Sequence, residues 1–186
     1  MSNVIDIQLP LDEVRVRSLK AGDVVSLSGI IYSARDAAHK RLVEMLDKDE
    51  ALPFDVQGAT IYYMGPSPAK PGEVIGAAGP TTSYRMDPYA PRLIEVGLRG
   101  MVGKGERGAN VVEAMQKFGA VYFAATGGAG ALIGRTIKAA EVVAFPELGP
   151  EAVRRLTIEN LPVIVAQDAS GGNLYKDGVE KWRDTD

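Results

Sequence analysis

Apolar and polar positions change period several times along the chain, and each change marks an element. Val4-Ile5-Asp6-Ile7-Gln8-Leu9 alternates, the two-residue period of a half-exposed strand. Pro10 to Lys20 reads as a polar connection, and Lys20-Ala21-Gly22-Asp23 as a turn. Val24–Tyr32 is rich in β-formers, with Gly29 placed for a bulge or kink. Ser33-Ala34-Arg35-Asp36 ends that strand, and Asp36 stands as the N-cap of a helix running through Leu46. Lys48 to Gly58 reads as loop and Ala59 to Met64 as a short strand. The Pro/Gly-rich stretch Gly65–Gly72 is punctuation, too short to divide two domains.

The second half repeats the alternation of strand and helix. Glu73–Ala78 is an apolar run that predicts a buried strand, followed by Gly79-Pro80. Pro88 to Leu98 reads as a helix with Leu93, Ile94 and Val96 on its apolar side, then Gly100–Gly105 as a strand ending in a glycine-flanked lysine. A helix follows from Gly108 to Phe118, with Val111, Val112, Met115 and Phe118 on one side. Val121–Ala125 is a continuous apolar strand, and Thr126–Gly130 turns into a helix from about Ala131 to Lys138. Glu141–Phe145 reads as a strand, Gly149–Leu156 as a short helix and Leu161–Ala166 as a strand, continued as a hairpin through Ser170-Gly171-Gly172 to Tyr175. Residues 178–186 read as a charged, frayed tail, with Trp182 a candidate for docking. Strand–helix alternation predicts an α/β domain spanning residues 1–186, and the strand-rich first third predicts a mixed β layer.

Composition narrows the chemistry. The chain has 186 residues and a formal net charge of −3, so it carries no basic field for nucleic acid and no lysine run for an anionic membrane. It contains no cysteine and one histidine, which excludes thiolate nucleophiles, a cysteine-held cluster within the chain and a histidine metal site. No apolar stretch has signal or membrane-span length, so the expected location is the cytoplasm.

The informative residues lie just past the strands. Arg35 follows the second strand, with His39 one helical turn later; Thr81, Thr82, Ser83 and Arg85 follow Gly79-Pro80; Lys104 and Thr126-Gly127-Gly128 follow two later strands. Ligands of α/β proteins gather at the carboxyl ends of strands. Two arginines, a lysine and several hydroxyls there suit a small polyanion such as a dicarboxylate or phosphate. Taken singly, Arg35 and Arg85 are also what surface residues paired with Asp36 and Asp87 would look like, and His39 reads more simply as a packed residue. Lys104 between two glycines is harder to explain that way. The Thr-Gly-Gly-Ala-Gly turn lacks the spacing of a dinucleotide fingerprint or a P-loop.

Gly79-Pro80-Thr81-Thr82-Ser83-Tyr84-Arg85-Met86-Asp87-Pro88-Tyr89 resembles the signature of iron–sulfur hydro-lyases of the class I fumarase and tartrate dehydratase family, in their β subunit or C-terminal half. Ser28-Gly29 through Ala34–His39, Met101-Val102-Gly103-Lys104-Gly105 and Tyr122–Ala129 agree with the same family in order, over about Asp23 to Asp168. The resemblance implies a compact swivelling-type β/β/α domain and reversible hydration of a dicarboxylate, most simply fumarate to malate, with L-tartrate dehydration as the alternative. It implies a 4Fe–4S cluster carried by cysteines of an α subunit, without which this chain is inactive. By the same resemblance Thr81 is the catalytic base, and Arg35, Arg85 and Lys104 hold the substrate carboxylates beside Thr82 and Gly127. Asp36 and His39 are supporting residues that orient or cap, and no metal ligand is assigned. Where family members often carry a small residue, this chain has Tyr84. Two other classes fit the same residues: a non-catalytic anion-binding module, and a nucleotide site on Thr126–Gly130.

Overall fold

The computed structural model describes residues 4–183. Seven strands, β1 (Ile5–Gln8), β2 (Val24–Ser33), β3 (Thr60–Tyr62), β4 (Gly100–Gly103), β5 (Val121–Ala124), β6 (Ile137–Ala144) and β7 (Val153–Gln167), form one mixed sheet. The segments β2, β3, β4 and β5 run parallel to one another, and β7 pairs antiparallel with both β5 and β2. The ladder therefore closes on itself through β2, β3, β4, β5 and β7, with β1 and β6 added outside the ring. The α/β class with a mixed β layer is as the alternation implied.

Two residues let long strands serve several partners. Gly29 has φ +117°, where the β2–β7 register shifts between Leu27 and Gly29, so the expected bulge is present. On the facing strand Asn160 has φ 54° and donates its N–H to Ser28 Oγ at 3.0 Å. Beyond that point β7 leaves β6, stays paired with β2 through Ile164 and meets β5 from Ile164 to Gln167.

Side chains of β3–β5 alternate between two cores, as the two-residue period requires. Tyr62, Val102, Val121 and Phe123 face Val25, Leu27, Ile31 and Val165. Ile61, Met101 and Tyr122 face the other way, onto Leu42, Leu93, Val111 and Met115 from the helices. Those helices are α2 (Asp36–Asp47), α3 (Ala90–Glu95) and α4 (Ala109–Phe118). Burial on both faces explains why these strands read as unbroken apolar runs.

Several segments depart from the sequence reading. Within Pro10–Lys20 lies a helix, α1 (Glu13–Ser18), capped by Asp12 Oδ1 accepting from Arg15 N at 2.6 Å; Val16 and Leu19 are buried. Glu73–Ala78 is a loop rather than a strand, exposed at Glu73 and Val74 and buried at Ala78, because both edges of β3 and of β4 are already paired. Its backbone bonds instead to Ser67 and Gly130. The helix α5 (Gly130–Thr136) gives way to β6 directly, and Gly149–Leu156 is not a helix. Gly149 adopts φ 57°, ψ −116°, a kink inside a short 3-10 segment (Pro146–Glu151), and β7 begins at Val153. The expected hairpin amounts to one bridge, Gln167 to Asn173, after which Asn173 caps α6 (Leu174–Trp182). Trp182 does not dock: it is 78% exposed. Residues 184–186 of the expected frayed tail lie outside the described residues. None of the described helices is long and apolar enough to cross a membrane.

Candidate functional site

Parallel pairing puts the carboxyl ends of β2, β3, β4 and β5 along one edge, and the motif loop lies across it. Thr81 N–H donates to Tyr63 O at 2.6 Å, just past β3, and Thr81 O accepts from Lys104 N at 3.3 Å, just past β4. Ser83 N–H returns to Lys104 O at 2.9 Å, so Thr82 and Lys104 form a parallel bridge. The motif thus extends the sheet by one rung without being a strand of it. Gly103 must be glycine here, since a Cβ would collide with Ser83 Oγ. Gly127, in the exposed turn after β5, passes beside the Lys104 side chain; a Cβ on it would lie 3.9 Å from Lys104 Cδ.

From Ser83 the chain makes a 3-10 turn (Ser83–Met86) that buries Ser83 and Met86 and leaves Tyr84 and Arg85 outside. Arg85 Nη2 donates to Asp36 Oδ2 at 2.8 Å. The other oxygen of Asp36 is 3.8 Å from Arg35 Nη2, so one carboxylate at the start of α2 stands between two guanidinium groups. Asp36 is the first helical residue and not the cap expected of it; Arg35 occupies the cap position with no side-chain cap bond. Arg35 also meets Glu151 Oε1 at 3.0 Å, and Glu151 Oε2 accepts from Ala37 N–H at 3.3 Å.

His39 is wholly buried one turn into α2, its Nδ1 2.9 Å from Arg35 O and its ring edge-on to Tyr63. Burial lowers its pKa to about 4; the bond to Arg35 O opposes this, and the positive Arg107 assists it. It is therefore neutral near pH 7, with Nδ1–H donating to Arg35 O. Its place is behind the arginines rather than among them.

Nothing in the local pattern marks Arg107. Its side chain is fully buried, with Nε on Asp87 Oδ1 at 2.7 Å and Nη1 on Tyr63 Oη at 3.1 Å, and its guanidinium lies over the rings of Tyr63 and Tyr122. Burial alone would weaken its protonation, but Tyr63 and Asp87 outweigh that. Asp87 Oδ2 takes Gly108 N–H at 2.7 Å as well, and Ser83 Oγ pairs with Tyr122 Oη at 2.7 Å. These bonds pin both ends of the 3-10 turn that carries Arg85. Of the two neighbour pairs that a surface reading allowed, Arg85–Asp87 is replaced, since Asp87 serves Arg107; Arg35–Asp36 is kept at 3.8 Å, with Asp36 closer to Arg85. Asp87 was in view as part of the motif; its partner follows an exposed glutamate in a loop and carries no local signal.

The edge so built is cationic and open. Arg35, Thr81, Arg85 and Lys104 line neither of the two hollows, of about 300 and 460 Å³, that border the Pro66–Ala77 loop. Groups that hold anions stand beside a hydroxyl there, on rigid strand ends, which suits recognition of a small carboxylate or phosphate dianion.

Such an edge on a mixed α/β sheet suits a small anion, and the comparisons with known proteins supply the family. The family model described as Fumarase C-terminus matches residues 1–178, and the chain belongs to that family. It is 39% identical over 183 residues to "Putative fumarate hydratase class I" of Geobacillus stearothermophilus, covering 96% of this chain and 34% of that protein. It is 41% identical over 172 residues to "Putative L(+)-tartrate dehydratase subunit beta" of Methanocaldococcus jannaschii, covering 89% of this chain and 88% of that one. To "Fumarate hydratase class I, aerobic" of Escherichia coli (strain K12) it is 34% identical over 176 residues, 92% of this chain and 32% of the other. The chain therefore spans about a third of the length of these fumarate hydratases and most of the length of the tartrate dehydratase subunit.

Proposed function

We propose that the chain is the β part of a heteromeric hydro-lyase that hydrates a dicarboxylate reversibly, with fumarate to malate as the first assignment and L-tartrate dehydration as the second. The observation that carries this is the bridge between Thr82 and Lys104 beside the Asp36-linked arginines, within a chain of the fumarase C-terminal family. The near full-length match to a protein named as a β subunit supports a separate subunit, and with it an α partner. In this reading residues 1–186 act as one swivelling-type domain in the cytoplasm.

Arg35, Arg85 and Lys104 hold the substrate carboxylates, Thr82 and Gly127 border them, and Thr81 faces the carbon-bound proton. Loss of that proton builds carbanion-like charge next to a carboxylate. Guanidinium groups already fixed there stabilise it more in the transition state than in the ground state. A threonine hydroxyl is a weak base, so Thr81 needs the adjacent cations and a carboxylate relay from the partner. Asp36 and His39 orient the arginines. The chain has no thiolate to hold a cluster; a 4Fe–4S cluster on the α subunit would supply a Lewis acid for the hydroxyl group.

The test is anaerobic reconstitution with a cysteine-bearing partner, followed by assay of fumarate, L-tartrate and their methylated analogues. Turnover of one of them is expected. Absence of turnover with every dicarboxylate would sink the enzyme reading in favour of a binding module.

A further inference from the structure

Both arginines of the candidate site already carry a carboxylate from this chain. Asp36 on Arg85 is a neighbour in sequence of Arg35 and is fixed at the first turn of α2. Glu151 is different. It arrives from the 3-10 segment between β6 and β7 and spans the Arg35 guanidinium and the Ala37 N–H, one oxygen to each. That is how a bound carboxylate would be held, by a cation and a helix N-terminal N–H together. The segment is braced from behind, since Arg154 donates to the carbonyls of Gly149, Pro150 and Ala152 at 2.8–3.1 Å.

Charge counting distinguishes the two carboxylates. Arg35, Arg85 and Lys104 bring three positive charges, and Asp36 and Glu151 return two, leaving one against the two of a dicarboxylate. With Glu151 turned to solvent the cluster matches a dianion. The Glu151 side chain keeps about a quarter of its surface exposed, so it can leave without opening the core. We infer that Glu151 is an internal substitute for a substrate carboxylate on Arg35, displaced when a dicarboxylate binds, and so a determinant of affinity in the site. This rests on the reading that Arg35 binds substrate.

The test is calorimetric titration of the full chain with succinate, a dicarboxylate that cannot react, and with acetate. The wild type, Glu151→Gln, Arg35→Met and the double variant are compared. Glu151→Gln is expected to bind succinate about fivefold tighter, the occupancy change that a partly exposed ion pair carries. The gain should be smaller for acetate and absent when Arg35→Met is added. Unchanged or weaker binding in Glu151→Gln, while Arg35→Met still weakens the wild type, overturns the inference and leaves the site assignment standing. No effect of Arg35→Met on the wild type removes Arg35 from the site, and the inference with it. Succinate binding by none of the proteins also overturns the inference, with the enzyme reading then judged by turnover. If Glu151→Gln fails to fold, Glu151→Asp shortens the reach and keeps the charge; tighter binding there supports the displacement, and unchanged or weaker binding defeats it.

Discussion

Arg107 Nε donates to Asp87 Oδ1 at 2.7 Å while its side chain is wholly out of solvent. An interior ion pair of this kind is costly to break from one side, because the remaining charge is left desolvated and alone. Asp87→Ala should therefore destabilise the chain by about 3–5 kcal/mol in urea unfolding. It also removes the acceptor of Gly108 N–H at the start of α4. A loss below about 1 kcal/mol would show that the pair does not hold the motif.

Arg85 is the opposite case. Its side chain is 40% exposed and that of its partner Asp36 is 31% exposed, so its removal should leave stability nearly unchanged. In the assembled enzyme Arg85→Ala should lower kcat/KM by an amount equivalent to about 3 kcal/mol or more of transition-state stabilisation, as for loss of a preorganised donor. Steady-state rates near those of the wild type would take Arg85 out of the site.

His39 makes stability depend on pH. Its pKa falls from 6.5 in the unfolded chain to about 4 in the folded one, so between those values the unfolded chain binds more protons. The contribution is complete above about pH 6.5 and is lost progressively as pH falls toward 4, amounting to about 3 kcal/mol. His39→Phe should flatten the stability profile in that window. An unaltered slope between pH 4 and 6.5 would assign the dependence to other groups.

Asp168 works lower on the scale. Burial raises its pKa, but N–H groups of Ala21, Ser170 and Gly172 at 2.7–3.0 Å outweigh that and hold it below the usual carboxylate value. Its stabilisation is present above the unfolded-state pKa near 3.8 and disappears as pH drops through the folded value. Asp168→Asn should cost about 1–3 kcal/mol at pH 7, because the amide can turn only one oxygen toward the three donors. Chemical denaturation at pH 7 and pH 3 checks both parts: the gap between wild type and variant should narrow at the lower pH.

Local pattern was enough for α2 and α4, whose apolar positions recur at helical spacing, and for β2 and β5, whose runs of β-formers are bounded by turn residues. It failed where a partner decides. Glu73–Ala78 has a strand's composition, yet β3 and β4 each already have two neighbours and offer it no edge. Val153–Leu156 has a mixed composition but is drawn into β7 by pairing with β2 on one side and β6 on the other. The helix α1 was legible in retrospect from Asp12 with Val16 and Leu19, too short a period to stand out.

The candidate residues Arg35, Thr81, Arg85 and Lys104 could be singled out because cations and hydroxyls just past apolar runs are a local signal. Their partners distant in sequence could not. Glu151 lies more than a hundred residues from Arg35, and Arg107 reaches Asp87 only because β4 and the motif share an edge. The order of residues along the chain settled the periods, the turns and the side chains that stand at strand ends. Which edges were free, and which opposite charges met, depended on closure of the sheet through β7, because hydrogen-bond pairing and desolvation are set by neighbours in space.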